Sequence, residues 1–177
     1  MHQSVQDYIQ NIPLEYIQGR DVLEVGSRNI NGGIKDIILS KQARNYVGTD
    51  KEKGEGVDIV VPVEELTNTF GEGTGDIVIS TETLEHIQDW RTGLNQMKQV
   101  LKPGGMLIIT TRGPGFPQHD YPCDYHRYTK EDMEYILRDM IVLDLKDDPM
   151  ASGVFVTAYK PRGFSLCDNT DYNVHTI

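Results

Sequence analysis

The chain has two cysteines, Cys123 and Cys167, 44 residues apart and with no partner at metal-ligand spacing. That excludes a disulfide framework and a cysteine zinc site, so both read as free thiols. No apolar run approaches the ~20 residues needed to span a bilayer. Residues 1–7 hold neither the basic nor the apolar stretch of an export signal. The expectation is a soluble, cytoplasmic protein. A cluster of basic residues is also missing: Lys and Arg number 17 against 27 Asp and Glu, for a net charge of −10. A field of that sign repels phosphate backbones and anionic lipid, so neither nucleic acid nor membrane is expected as a partner.

Repeats and low-complexity tracts are absent too, and 177 residues suffice for one ordinary core. What fills the chain is an alternation of strand-like and helix-like segments, the pattern of a parallel sheet covered by helices. Residues 4–18 carry apolar side chains at near-helical spacing, interrupted by Pro13. Val22-Leu23-Glu24-Val25 reads as the first strand and ends at Gly26, with a helix over 34–39. Tyr46-Val47-Gly48 leads to Asp50 as the second strand, and residues 57–61 form the third after an abbreviated connection. A short helix over 64–70 precedes strand four, Asp76-Ile77-Val78-Ile79-Ser80, whose unbroken apolar character marks burial on both faces. A helix over 89–101 stops at Pro103-Gly104-Gly105, and Met106-Leu107-Ile108-Ile109-Thr110 is strand five. Residues 112–128 form a polar, aromatic loop, and Thr129 caps another helix. Strands over 141–145 and 154–159 are joined too tightly for a helical crossover and must be antiparallel. The polar tail, 161–177, shows no period.

Acidic and glycine residues mark the strand ends. Glu24 and Gly26 close strand one, although the glycine alternation usual after such a turn is missing from Gly26-Ser27-Arg28-Asn29-Ile30-Asn31-Gly32-Gly33. Asp50 falls 24 residues after Gly26, where a carboxylate can accept hydrogen bonds from both hydroxyls of a ribose. Strand four runs into Thr81-Glu82-Thr83-Leu84-Glu85-His86, which crowds polar groups at one strand's carboxyl end.

Taken together, Val22-Leu23-Glu24-Val25-Gly26, the stretch from Asp76 to His86, and Leu101-Lys102-Pro103-Gly104-Gly105 resemble the class I S-adenosylmethionine-dependent methyltransferases, of the type 11, small-molecule or glycan-associated kind. The resemblance implies an α/β, Rossmann-like doubly wound sheet, mostly parallel with an antiparallel C-terminal strand pair, in the order 3-2-1-4-5-7-6. It implies a methyltransferase domain over 1–160 and a tail over 161–177. It makes S-adenosylmethionine the cofactor, held by Glu24, Gly26, Ser27, Asp50, Val61, Ser80, Thr81 and Glu82.

The loop Pro117-Gln118-His119-Asp120-Tyr121-Pro122-Cys123-Asp124-Tyr125-His126-Arg127-Tyr128-Thr129 resembles a segment of a subgroup associated with sugar and surface-glycan metabolism. It implies an acceptor site from Tyr121, Asp124, Tyr125 and Arg127, beside His119, His126 and His86 as candidate bases, imidazole being the side chain that takes protons near neutral pH. The implied activity is metal-independent methyl transfer to a small acceptor, with a sugar or glycan hydroxyl the leading candidate. A non-catalytic methyltransferase-like module and an NAD-dependent oxidoreductase are the alternatives. The oligomeric state is left open, a dimer included.

Overall fold

A computed structural model describes residues 2–119 and 124–177. The N-terminal apolar stripe forms two helices, α1 (Gln3–Asn11) and α2 (Leu14–Ile17), separated at Pro13, whose missing N–H and fixed φ break the first helix. Strands β1 (Asp21–Val25), β2 (Asn45–Asp50) and β3 (Ile59–Val60) follow, with α3 (Lys35–Ser40) between the first two. A 3₁₀ turn (Val63–Glu65) opens α4 (Leu66–Phe70), which leads to β4 (Gly75–Thr81), a second 3₁₀ turn (Leu84–His86) and α5 (Trp90–Val100). Strand β5 (Leu101–Arg112), the short β6 (His126–Arg127), α6 (Lys130–Ile136), β7 (Ile141–Asp147), β8 (Gly153–Tyr159) and a terminal β9 (His175–Thr176) complete the chain.

Seven strands form one sheet in the order β3-β2-β1-β4-β5-β8-β7. Pairing is parallel from β3 to β5 and antiparallel for β5–β8 and β8–β7. This is the expected topology; the last two strands carry higher numbers only because β6 precedes them in a separate small sheet with β9. Strand three is shorter than its apolar run suggests. Asp58 is drawn away to exchange bonds with Gly48: its N–H donates to the Gly48 carbonyl and its carboxylate accepts from the Gly48 N–H.

Side chains alternate across the sheet. Ile77 and Ile79 of β4, Met106 and Ile108 of β5 and Phe155 of β8 pack with Val5, Ile9 and Ile12 of the N-terminal segment and Ile38 of α3. Val78, Leu107, Ile109 and Val156 point the other way, onto Trp90, Leu94 and Met97 of α5 and Met133 and Ile136 of α6. Burial on both faces explains why the central strands read as continuous apolar runs. Thr129 caps α6 in a reciprocal box with Asp132, and Asp89 caps α5 by accepting from Thr92 N–H. Among the described residues no helix is long and apolar enough to cross a membrane.

Candidate functional site

Parallel strands that all run one way bring their carboxyl ends to one edge, where the backbone leaves a crevice. Here the ends of β1, β2, β4 and β5 border a cavity of about 550 Å³, within the roughly 300–1,000 Å³ typical of small-molecule sites. Gly26 bends the chain away from β1 at φ +80°, and a Cβ there would stand 2.0 Å from Thr83 Oγ1. Glycine is thus required at this turn by its backbone conformation and by Thr83 packed against it. In place of further glycines, hydrogen bonds tie the turn down: the N–H groups of Gly26 and Ser27 both donate to the Thr49 carbonyl, and Asn29 N–H donates to Glu55.

Of the eight residues the sequence assigns to a cofactor, Gly26, Asp50, Val61, Thr81 and Glu82 line this cavity. Asp50 ends β2 with its carboxylate accepting from Glu52 N–H at 2.9 Å. The buried Thr81 hydroxyl has no hydrogen-bond partner among the described residues. Glu24, Ser27 and Ser80 are not brought into the lining. Strand alternation turns Glu24 from the Val25 side towards β2, where Tyr46 OH donates to its carboxylate. Burial pushes the Glu24 carboxyl up to about 7. Ser27 Oγ donates to the Gly56 carbonyl at 2.9 Å, clamping the turn, and Ser80 is fully buried.

The opposite end of the cavity is lined by His86, on the turn after β4, and by His119 and Tyr125 of the loop after β5. His86 Nε2 and His119 Nε2 are 3.1 Å apart. Asp124 sits behind His119: its Oδ2 lies 2.9 Å from His119 Nδ1 and accepts the His119 backbone N–H at 3.1 Å. Arg127 grips the same carboxylate with two nitrogens, at 2.5 and 2.6 Å. Burial works against the Asp124 charge, yet Arg127 and the His119 N–H hold its carboxyl below the usual carboxylate range. Asp124 and Arg127 therefore support the wall rather than line it. His126 turns its Nε2–H onto the Gln88 carbonyl at 3.1 Å, outside the lining, and burial lowers its affinity for protons. Tyr121 lies outside the described residues.

Sequence reasoning passed over Arg112, Phe116, Thr83 and His2, which also line the cavity. Arg112, the last residue of β5, joins Glu82 to Asp148, with Nη1 2.9 Å from Asp148 Oδ2, and its guanidinium stacks 4.7 Å from the Phe116 ring centre. The alternation that buries β5 carries no sign of this role. Glu82 takes φ +52°, a conformation non-glycine residues seldom adopt. Its carboxyl is pushed up by burial and by the neighbouring Glu85, against the pull of Arg112. Glu85, fully buried, accepts from Thr111 Oγ1 at 2.7 Å. Glu85, His86 and His119 offer ligand atoms within 4.8 Å of one another, a donor set that could also receive a divalent cation.

Comparisons with known proteins agree with this architecture. Residues 31–109 match the family described as a methyltransferase domain. A ubiquinone biosynthesis O-methyltransferase of Erwinia tasmaniensis is 31% identical over 107 residues, covering 52% of this chain and 42% of that protein. The O-methyltransferase cnsE of Penicillium expansum is 28% identical over 180 residues, covering 88% of this chain and 64% of that one. The chain thus spans less than half the length of the ubiquinone relative. Among solved structures, a Burkholderia thailandensis 1,6-didemethyltoxoflavin-N1-methyltransferase, with bound 1,6-didemethyltoxoflavin and S-adenosylhomocysteine, superposes at a TM-score of 0.63. It is 18% identical, with 81% of this chain and 72% of that chain covered. The segment 31–109 is thus similar to methyltransferase domains, and the sheet, in the order β3-β2-β1-β4-β5-β8-β7, has the Rossmann-like methyltransferase fold of that solved structure.

Proposed function

We propose that the chain transfers a methyl group from S-adenosylmethionine to a hydroxyl of a small acceptor, with a sugar or glycan hydroxyl as the first candidate. The observation that carries the proposal is one cavity running from the Asp50 carboxylate, at the end of β2, to the His86–His119 pair. The antiparallel β8 disfavours an NAD-dependent oxidoreductase, whose sheet continues in parallel.

The lining suits the cofactor. The Asp50 carboxylate is placed for a ribose diol, the apolar Val61 and Val63 beside it for a flat adenine, and the unpartnered Thr81 hydroxyl and the Gly26 turn for the polar methionine end. When bound, S-adenosylmethionine supplies a methyl group on a cationic sulfonium, whose loss leaves a neutral thioether. The protein's own task is then positioning, since holding two reactants in line replaces translational freedom that would otherwise be lost on reaction. His119 is placed to accept the acceptor's proton. Asp124 accepts the His119 backbone N–H and stands 2.9 Å from the opposite ring nitrogen, which orients the ring towards the cavity. The names of the curated relatives, both O-methyltransferases, favour an oxygen acceptor.

The test has two stages. Calorimetric titration with S-adenosylhomocysteine should show binding, with NAD(H) as the control. Radiolabelled methyl transfer into panels of sugars and phenols should then find the acceptor. NAD(H) binding with no response to S-adenosylhomocysteine would refute the proposal. Cofactor binding without turnover on any small molecule would favour the non-catalytic module.

A further inference from the structure

The tail after β8, which shows no periodic pattern, is bound side chain by side chain. Arg91 of α5 donates from Nε to the Asn169 carbonyl at 2.9 Å and from Nη2 to the Tyr172 carbonyl. Arg138, just after α6, donates to Asn169 Oδ1 at 2.5 Å and to the Asp168 carbonyl. Tyr172 stacks on Tyr135, ring centres 4.0 Å apart and planes 14° off parallel, and its hydroxyl donates to the capping Asp132 at 2.8 Å. Val174 is buried in the α5–α6 core. Only after these anchors does the chain reach the site edge, where β9 pairs antiparallel with β6, His126 against Thr176 and Arg127 against His175. Ile177 N–H then donates to the Tyr125 carbonyl at 3.1 Å.

What β9 meets is the support of the acceptor-side wall. Arg127, on β6, grips Asp124 and also reaches the carbonyls of Phe116 and Pro117, at 3.4 and 3.2 Å, on the outgoing limb of the same loop. Asp124 holds the His119 backbone and stands beside its Nδ1. Tyr125 N–H donates to the Glu85 carbonyl, tying the loop to the turn that carries His86. The nucleoside end, by contrast, is built from β1, β2 and the segment after β3, which β9 does not pair with.

We propose that residues 168–177 form a strap that positions His119: β9 fixes β6, β6 fixes Arg127 and Asp124, and these fix the ring that faces the acceptor. Tyr172, Arg91 and Arg138 are positioning residues that act through this chain of contacts. The proposal rests on the reading of His119 as the acceptor-side base, but the positional claim can be tested without knowing the acceptor. Because the coupling runs to one end of the cavity, loosening the strap disturbs the histidine and leaves cofactor affinity in place.

The test uses the full chain with 15N-labelled histidine. Ile177→Pro deletes the N–H that binds Tyr125 at a residue that is 49% exposed, so the core is untouched. Ile177→Ala keeps that N–H and serves as the control. Tyr172→Phe loses the bond to Asp132 while keeping the stack on Tyr135, and Tyr172→Ala loses both. The expected result for Ile177→Pro and Tyr172→Ala is a shift of the His119 ring 15N signals and about tenfold faster exchange of the His119 backbone amide that donates to Asp124. Exchange of the loop amides should be about tenfold faster, while S-adenosylhomocysteine affinity stays within about twofold. Ile177→Ala should match the parent, and Tyr172→Phe should fall between. Unaltered His119 ring signals and amide exchange in Ile177→Pro, with exchange at β9 showing the strap released, would overturn the proposal. If the parent failed to bind S-adenosylhomocysteine, the functional reading would fall while the ring comparison would still decide the strap.

Discussion

His86 Nε2 stands 3.1 Å from His119 Nε2, so at most one of these nitrogens can hold the proton between them. The two rings come from different strands' ends, His86 after β4 and His119 after β5, and meet edge to face at 4.7 Å between centres. The Asp124 carboxylate stands closer to one ring than to the other: it is 2.9 Å from His119 Nδ1 and 3.9 Å from His86 Nδ1. The geometry therefore distinguishes the two rings by their distance from the Asp124 carboxylate.

Replacing His119 by Ala should lower kcat roughly 100- to 10,000-fold, the usual worth of a positioned general base. S-adenosylhomocysteine affinity, read by calorimetry, should change little, because His119 is at the acceptor end. His126→Ala should retain near-parent activity, since His126 does not line the cavity and its Nε2–H is committed to the Gln88 carbonyl. Equal loss in both variants would remove the distinction drawn here.

Asp50 and Ser80 give a paired prediction at the cofactor end. Losing a charged acceptor for two hydroxyls costs roughly 1.5–3 kcal/mol, so Asp50→Ala should weaken S-adenosylhomocysteine roughly 10- to 100-fold. Ser80→Ala should leave that affinity at the parent level, because Ser80 lies behind the cavity wall. Calorimetry on both variants checks the assignment.

These contrasts also separate what the sequence made legible from what it did not. The long apolar strands, the Pro13 break, the Thr129 cap and the antiparallel final pair were readable because each depends on local pattern or loop length. So was the convergence of Gly26, Asp50 and Glu82 on one crevice, since parallel strands place their ends on one edge whatever the side chains do. Facing was harder to read. Glu24 and Ser80 sit one residue from Val25 and Thr81, which line the cavity, and one step along a strand reverses the side chain's direction. Arg112 and the tail were illegible for another reason: their partners, Glu82 and Asp148 for the first and Arg91, Arg138 and Tyr135 for the second, are distant in sequence and obey no period.

Gly26 should be intolerant of a side chain for two independent reasons. Gly26→Ala places a Cβ 2.0 Å from Thr83 Oγ1 and holds alanine at φ +80°. Backbone strain alone is worth about 1–3 kcal/mol, and the overlap adds to it. Thr83→Ala in the same chain removes the overlaps at Oγ1 and Cγ2, 2.0 and 2.5 Å, but keeps the one at Cβ, 2.7 Å, so it should relieve part of the overlap and none of the strain. A double-mutant cycle in urea should then show coupling of about 1 kcal/mol or more in favour of the pair. Simple additivity would mean that Thr83 yields freely and that only φ matters.

Glu24 predicts how stability should depend on pH. Its carboxyl, buried against Tyr46, is raised in the folded state from an ordinary 4.5 to about 7. Folding therefore favours the protonated form. Between these values the folded chain keeps a proton that the unfolded chain has released, so stability from this group is complete below about pH 4.5 and is lost as pH rises through about 7. The span corresponds to about 3 kcal/mol as an order of magnitude. Glu24→Gln keeps an acceptor for the Tyr46 hydroxyl and removes the ionisation. Urea titrations at a series of pH values should show the parent losing stability, relative to Glu24→Gln, from pH 5 to pH 8. Parallel curves for the two proteins across that range would mean that Glu24 folds already ionised, with its charge compensated by Lys35, the cation acting on it from across β2.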